Sequence, residues 1–116
     1  MIGVVDGCAF CDVVAGRTSA VVVRAWDDVV AIVPRGGGVT EGHVLVLPRV
    51  HVPDAGTDPA VTAAVMRRAA ELMAERPAAN LITSKGAAAT QTVFHLHVHV
   101  VPRADGDGLR LPWSVP

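Results

Sequence analysis

Polar and apolar positions alternate most strictly near the C-terminal end, in Val93-Phe94-His95-Leu96-His97-Val98-His99-Val100-Val101-Pro102. That period of two predicts a half-buried strand. Phe94, Leu96, Val98 and Val100 would face one way, and the imidazoles of His95, His97 and His99 the other. Shorter apolar runs predict strands over 21–24, 29–33, 43–48 and 80–84. A different period marks 57–76, where Val61, Val65, Ala69, Leu72 and Met73 recur at helical spacing. Thr57-Asp58 followed by Pro59 supplies an N-cap, and the helix stops before Pro77. A short helix over 8–16 would end at Gly16. Residues 34–42 read as a loop carrying Gly36-Gly37-Gly38, and 85–90 as a turn of small residues. Strands with one long helix among them predict an α+β fold, a mainly antiparallel sheet with a helix on one face.

Composition narrows this only a little. A chain of 116 residues is expected to form one domain, 1–116, with its own core. At 51% hydrophobic and 18% charged it is globular rather than disordered. A net charge of −1 gives no reason to expect nucleic-acid or anionic-membrane binding. No apolar run approaches the roughly 20 residues of a membrane helix. The first residues, Met1 to Gly7, carry no basic segment and no long apolar stretch, so no signal peptide is expected and the cytoplasm is the expected location.

The histidine row changes the picture more. Solvent faces of strands normally carry Thr, Lys, Glu or Arg, yet this one holds three of the chain's five histidines. Imidazole can serve near neutral pH as nucleophile, acid–base group or metal ligand. Cys8 and Cys11 have C-x-x-C spacing, and in the cytoplasm such a pair suggests metal or redox chemistry before a disulfide. Two readings follow: a structural zinc completed by two of His43, His51 and His95, or an inert or redox pair. Thr92, in the turn before the histidines, is either a phosphate contact or an ordinary turn threonine.

Taken together, these residues resemble the histidine triad (HIT) family. Residues 91–103, Gln-Thr-Val-Phe-His-Leu-His-Val-His-Val-Val-Pro-Arg, are similar to its H-φ-H-φ-H-φ-φ signature, with φ apolar. Cys8-Ala9-Phe10-Cys11-Asp12-Val13-Val14-Ala15-Gly16 resembles its C-x-F-C-x-I-I-x-G segment. Residues 42–51, from Gly42-His43 through Pro48 to His51, resemble G-H-x-L-V-x-P-x-x-H, and Asn80-Leu81-Ile82 its N-L strand.

The resemblance implies a mostly antiparallel sheet with two helices, a homodimer, and a nucleotide substrate attacked at its α-phosphate. Such substrates include nucleoside phosphoramidates and dinucleoside polyphosphates. It implies that His97 is the nucleophile and forms a covalent nucleotidyl-histidine. His99 would assist at the phosphate, and Thr92 would hydrogen-bond it, beside Gln91. Ser84 falls where the family carries an Asn near the nucleophile. Zinc would be held by Cys8, Cys11, His51 and His95, leaving His43 a structural role. Two local departures stand out: the loop over 33–38 carries no acid and one charge, Arg35, and Thr90 stands where the family has Gly. Arg35 reads as an exposed loop side chain or a partner for phosphate or carboxylate. The alternative function is a nucleotide-binding or protein-interaction module with little turnover. A third reading makes the row a metal site alone.

Overall fold

The computed structural model describes residues 3–114. Its elements run α1 (Ala9–Val14), β1 (Val22–Ala25), β2 (Val29–Ile32), β3 (Val44–Pro48), α2 (Pro59–Met73), β4 (Ala79–Ile82) and β5 (Val98–Pro102). Single 3₁₀ turns occupy Arg35–Gly37 and Ala87–Ala89. The five strands form one sheet in the order β1-β2-β3-β5-β4, every neighbouring pair antiparallel. β3 and β4 are therefore parallel to each other with β5 between them, and α2 makes the crossover. This is the antiparallel-sheet, two-helix α+β architecture expected.

The caps explain where the helices begin. The Asp58 carboxylate accepts from the Ala60 N–H at 3.1 Å, and Pro59 opens α2. α2 ends at Met73, earlier than expected, because the last turn tightens: Glu75 N–H donates to Leu72 and Arg76 N–H to Met73, three residues back. Cys8 caps α1 through its sulfur, which accepts from the Cys11 N–H at 3.3 Å.

The sheet is covered on both faces. Val61, Val65, Ala69 and Leu72 of α2 pack on Val29, Ala31, Val44, Val46, Val98 and Val100. The other face, Val30, Ile32, Leu45 and Leu47, meets Phe10, Val13 and Val14 of α1. That two-sided burial is why β2 and β3 read as unbroken apolar runs rather than alternating ones. Met73, expected on the buried stripe, is only half-buried.

The histidine strand is shorter than its pattern suggests. β5 starts at Val98, so His95 and His97 precede it. Pairing with β3 ends at Val46↔Val98, and the residues before it bond instead to the loop that follows β3: Leu96 N–H donates to the Val52 carbonyl at 2.7 Å. Alternation survives from Leu96 to Val100, but Phe94 breaks it and is 52% exposed.

Candidate functional site

His99 lies opposite Leu45 on β3 and opposite Ile82 on β4. It therefore shares the α1 face of the sheet, away from α2. Short α1 leaves part of that face open, and its Phe10 stacks edge-on against His97 with ring centroids 4.9 Å apart.

Hydrogen bonds assign the proton-bearing nitrogen of each ring. The Val39 N–H donates to His43 Nδ1 at 3.0 Å, so that nitrogen is unprotonated. His43 Nε2–H then donates to His99 Nδ1, 2.9 Å away. His99 in turn carries its proton on Nε2. Its ring centroid is 5.2 Å from that of His97. His97 donates from Nδ1 to the His95 carbonyl at 2.8 Å, leaving the lone pair on Nε2. The pair thus offers a nitrogen lone pair beside an N–H donor. Burial pushes the His99 pKa down to about 4, helped by His97 and His43, and burial also lowers that of His43. Both rings are neutral at pH 7.

His95 is fully buried and turns away from this pair. It donates from Nε2 to the Pro48 carbonyl at 2.8 Å, which leaves Nδ1 unprotonated. Nδ1 lies 3.5 Å from both cysteine sulfurs. His51 Nδ1 lies 3.4 Å from Cys11 Sγ. Donor atoms of Cys8, Cys11, His51 and His95 all fall within 4.8 Å of one another, so the four can hold a metal ion. Burial pushes the Cys11 thiol pKa up and the His95 imidazole pKa down to about 4, which keeps the imidazole neutral and able to ligate.

The other residues singled out from sequence are placed differently. Gln91 is buried, its carbonyl accepting from the Gly86 N–H and its amide donating to Pro53 and Val93 carbonyls. Those bonds shape the turn. Thr92 is exposed and Ser84 half-buried, and among the described residues neither hydroxyl has a hydrogen bond. His43, expected to be merely structural, is bonded directly to His99. Two further residues escaped the sequence reading. Thr83 donates to the His97 carbonyl at 2.8 Å. Gly38, at φ 86°, sits so close to His43 that a Cβ would lie 2.5 Å from its Nδ1. No sequence pattern flags Thr83. The glycine run flags a loop but not the ring behind it.

Beside Phe10 and Leu45 opens a groove of about 850 Å³, reaching across Ile32 to the 34–37 loop. Among the described residues no histidine lines this groove, but Phe10 packs on His97 and Leu45 pairs with His99, so it runs beside them.

A sheet of this topology, with a paired-histidine centre on one face and a Cys/His cluster beneath it, defines a class of small α+β proteins. The HIT domain family model matches residues 16–106, and the chain belongs to that family. A HIT-like protein of Mycobacterium tuberculosis H37Rv is 35% identical over 114 residues, covering 88% of this chain and 75% of the relative. A zinc-bound histidine triad family protein from Mycobacterium smegmatis superimposes with a TM-score of 0.77 at 37% identity, covering 90% of this chain and 80% of that one. The adenylylsulfatase HINT3 of Arabidopsis thaliana is 28% identical over 90% of this chain, which spans 56% of HINT3.

Proposed function

We propose that this chain is a nucleotidyl-phosphate hydrolase or transferase acting at the α-phosphate of a nucleoside phosphoramidate or dinucleoside polyphosphate. The observation that carries the reading is the bond from His97 Nδ1 to the His95 carbonyl, which keeps the Nε2 lone pair available for attack. Nε2 forms a bond to phosphorus while the bond to the leaving group breaks. The leaving group takes its proton from water, while the His99 Nε2–H hydrogen-bonds the phosphoryl oxygens. Water then attacks the phosphoramidate, sheds its proton to solvent and releases His97. One hard displacement becomes two easier ones. Charge on the non-bridging oxygens would be met by His99 and the exposed Thr92 hydroxyl. Ser84 follows Ile82, the β4 residue opposite His99, by two positions and is proposed to face the substrate, and Gln91 holds the turn that carries Thr92. The similarity to an adenylylsulfatase supports chemistry at an adenylyl phosphorus.

Zinc is the metal we assign to the cluster. A tetrahedral zinc with bonds of about 2.3 Å to sulfur and about 2.0 Å to nitrogen has sulfur–nitrogen edges of about 3.5 Å. Three of the four edges here are 3.4–3.5 Å, and all four donor atoms lie within 4.8 Å of one another. Four protein donors close the site, so zinc would supply folding energy and anchor α1 to the histidine segment. The Pro48 carbonyl holds the His95 tautomer that this needs. Free thiols at Cys8 and Cys11 suit a reducing compartment such as the cytoplasm. We further propose a homodimer, supported by β4, an edge strand bonded only to β5. No helix among the described residues is long and apolar enough to cross a membrane.

Intact mass measured without acid quench, after brief exposure to adenosine 5′-phosphoramidate or diadenosine tetraphosphate, tests the reading. An adenylyl adduct on the native chain, absent from His97→Ala, is expected. Neither adduct nor product from either substrate would replace the enzyme with a nucleotide-binding module.

A further inference from the structure

We infer that the groove selects nucleotides bearing a second anionic group, a phosphomonoester on the ribose, and that Arg35 is the residue that recognises it. The inference rests on the proposed reaction at His97 only for which end of the groove holds the reacting phosphate.

The sheet register gives the groove its scale. His99 pairs with Leu45, Leu45 with Ile32, and Ile32 with Val22. Neighbouring strands are about 4.8 Å apart, so Ile32 lies about 10 Å from His99 across the sheet. Leu45 and Ile32 both line the groove, and the chain leaves Ile32 directly into the loop that carries Arg35. A nucleoside attached to a phosphate at the histidines spans about that length. Its sugar and base would then lie on apolar floor with the loop beside them.

The charges along this path are few. Asp12 lines the groove but is bound by Arg17, whose Nε and Nη2 both donate to Oδ1 at 3.0 and 2.7 Å. Arg35 lines the groove too, and among the described residues no carboxylate or hydrogen-bond acceptor engages it. The groove therefore presents one uncompensated cation and no uncompensated acid. A ribose diol is usually gripped by a carboxylate, whereas an arginine at the sugar accommodates a phosphate there. Guanidinium also matches phosphate geometry in a bidentate way. The backbone points the same way: Arg35 is helical and Gly36 left-handed at φ 82°, ψ 1°, a succession that turns adjacent N–H groups toward a common point.

The test is calorimetric binding of adenosine 5′-monophosphate, adenosine 2′,5′-bisphosphate and adenosine 3′,5′-bisphosphate to the native chain and to Arg35→Ala, with phosphoramidate turnover measured alongside. We expect one bisphosphate to bind the native chain about tenfold tighter than the monophosphate, with the preference shrinking at high salt. The ratio should fall to about one in Arg35→Ala. Which isomer wins assigns the ribose position. Bisphosphates that bind no better than the monophosphate, or a preference that survives in Arg35→Ala, would overturn the inference, and continued turnover would leave the reaction at His97 intact. An Arg35-dependent preference without turnover or adduct would instead retain the specificity and remove the reaction. Binding of none of the three would overturn both.

Discussion

His43 Nε2 donates to His99 Nδ1 over 2.9 Å, and through that bond the orientation of a peptide N–H at Val39 dictates which nitrogen of His99 holds a proton. Because Val39 can only donate, the chain of bonds has one direction. His43 touches neither a reacting atom nor the metal cluster. It is a positioning residue, and its removal should act through His99. His43→Ala should lower kcat about 10–100-fold with a smaller change in KM. It should also free His99 to change tautomer and shift the acid limb of the pH–rate profile. His99→Ala should cost about 10²–10³-fold in kcat, the usual cost of removing one hydrogen-bond donor to developing charge. If His43→Ala keeps the native kcat and the profile keeps its shape, the relay has no role.

Gly38 holds His43 in place by having no side chain. Its φ of 86° belongs to glycine, and the Cβ of an alanine would lie 2.5 Å from His43 Nδ1. Gly38→Ala should lower stability by about 2 kcal/mol, from left-handed strain and from displacement of the ring. It should reproduce the kinetic defect of His43→Ala. Gly106→Ala is the control, since no atom lies within 4 Å of its Cβ position although its φ, 73°, is also positive. Urea unfolding and kcat for the two variants decide it: an active Gly38→Ala enzyme would show that the ring tolerates displacement.

Much of this arrangement was legible in the sequence, for identifiable reasons. Periodicity marked α2 because Val61, Val65, Ala69 and Leu72 meet one face of the sheet. The cysteine pair suggested a metal site because such sites need donors of that type, but it was the resemblance to the family that selected His51 and His95 over His43. The extent of β5 was not legible. Alternation reports which way side chains point, and Leu96 and His97 keep that alternation without a partner strand. The His43–His99 bond was hidden for another reason: 56 residues separate the two, and only the β3–β5 register brings them together. Phe94 misled because apolar character in an alternating run does not guarantee a covered position.

Removal of the metal should loosen α1 first. Cys8 and Cys11 belong to α1 and its cap, while His51 and His95 come from the loop after β3 and the segment before β5. Native mass spectrometry should find one zinc per chain, and none in Cys8→Ser/Cys11→Ser. Chelation should lower Tm by about 10–20 °C, since a structural zinc contributes several kcal/mol and each shifts Tm by about 4–8 °C in a domain near this size. Two zinc ions per chain, one lost in His97→Ala, would make the whole row a metal site instead.

Acid should destabilise the zinc-loaded protein through His99 and His43. Folding lowers both pKa values below the ordinary histidine range, that of His99 to about 4, mainly by burial. Between about pH 6.5 and pH 4 the unfolded chain therefore takes up protons that the folded chain refuses. The stability is fully present above pH 6.5 and is lost as pH falls through 4. With solvent reaching part of the ring, the loss through His99 should be about 1–2 kcal/mol. Unfolding midpoints at pH 7.5 and 5, compared between native chain and His99→Asn, isolate the effect. A native chain with the same pH slope as the variant would place the acid sensitivity elsewhere.

Thr90 is the one non-glycine residue with positive φ among those described, at φ 72° and ψ 18°. A β-branched side chain in the left-handed region costs about 1–2 kcal/mol. Its position explains why the strain persists: Thr90 ends the 3₁₀ turn and hands the chain to Gln91, whose side chain ties the turn to Gly86, Pro53 and Val93. Thr90→Gly should relieve the strain and add about 0.5–1 kcal/mol of net stability, since glycine's greater freedom in the unfolded chain offsets part of the gain. Kinetics give the second readout. If the strained turn holds Thr92 toward the phosphate, Thr90→Gly should raise stability and lower kcat together. A variant gaining stability at unchanged kcat would mean that the Gln91 bonds alone position Thr92, and Gln91→Ala should then carry the kinetic loss.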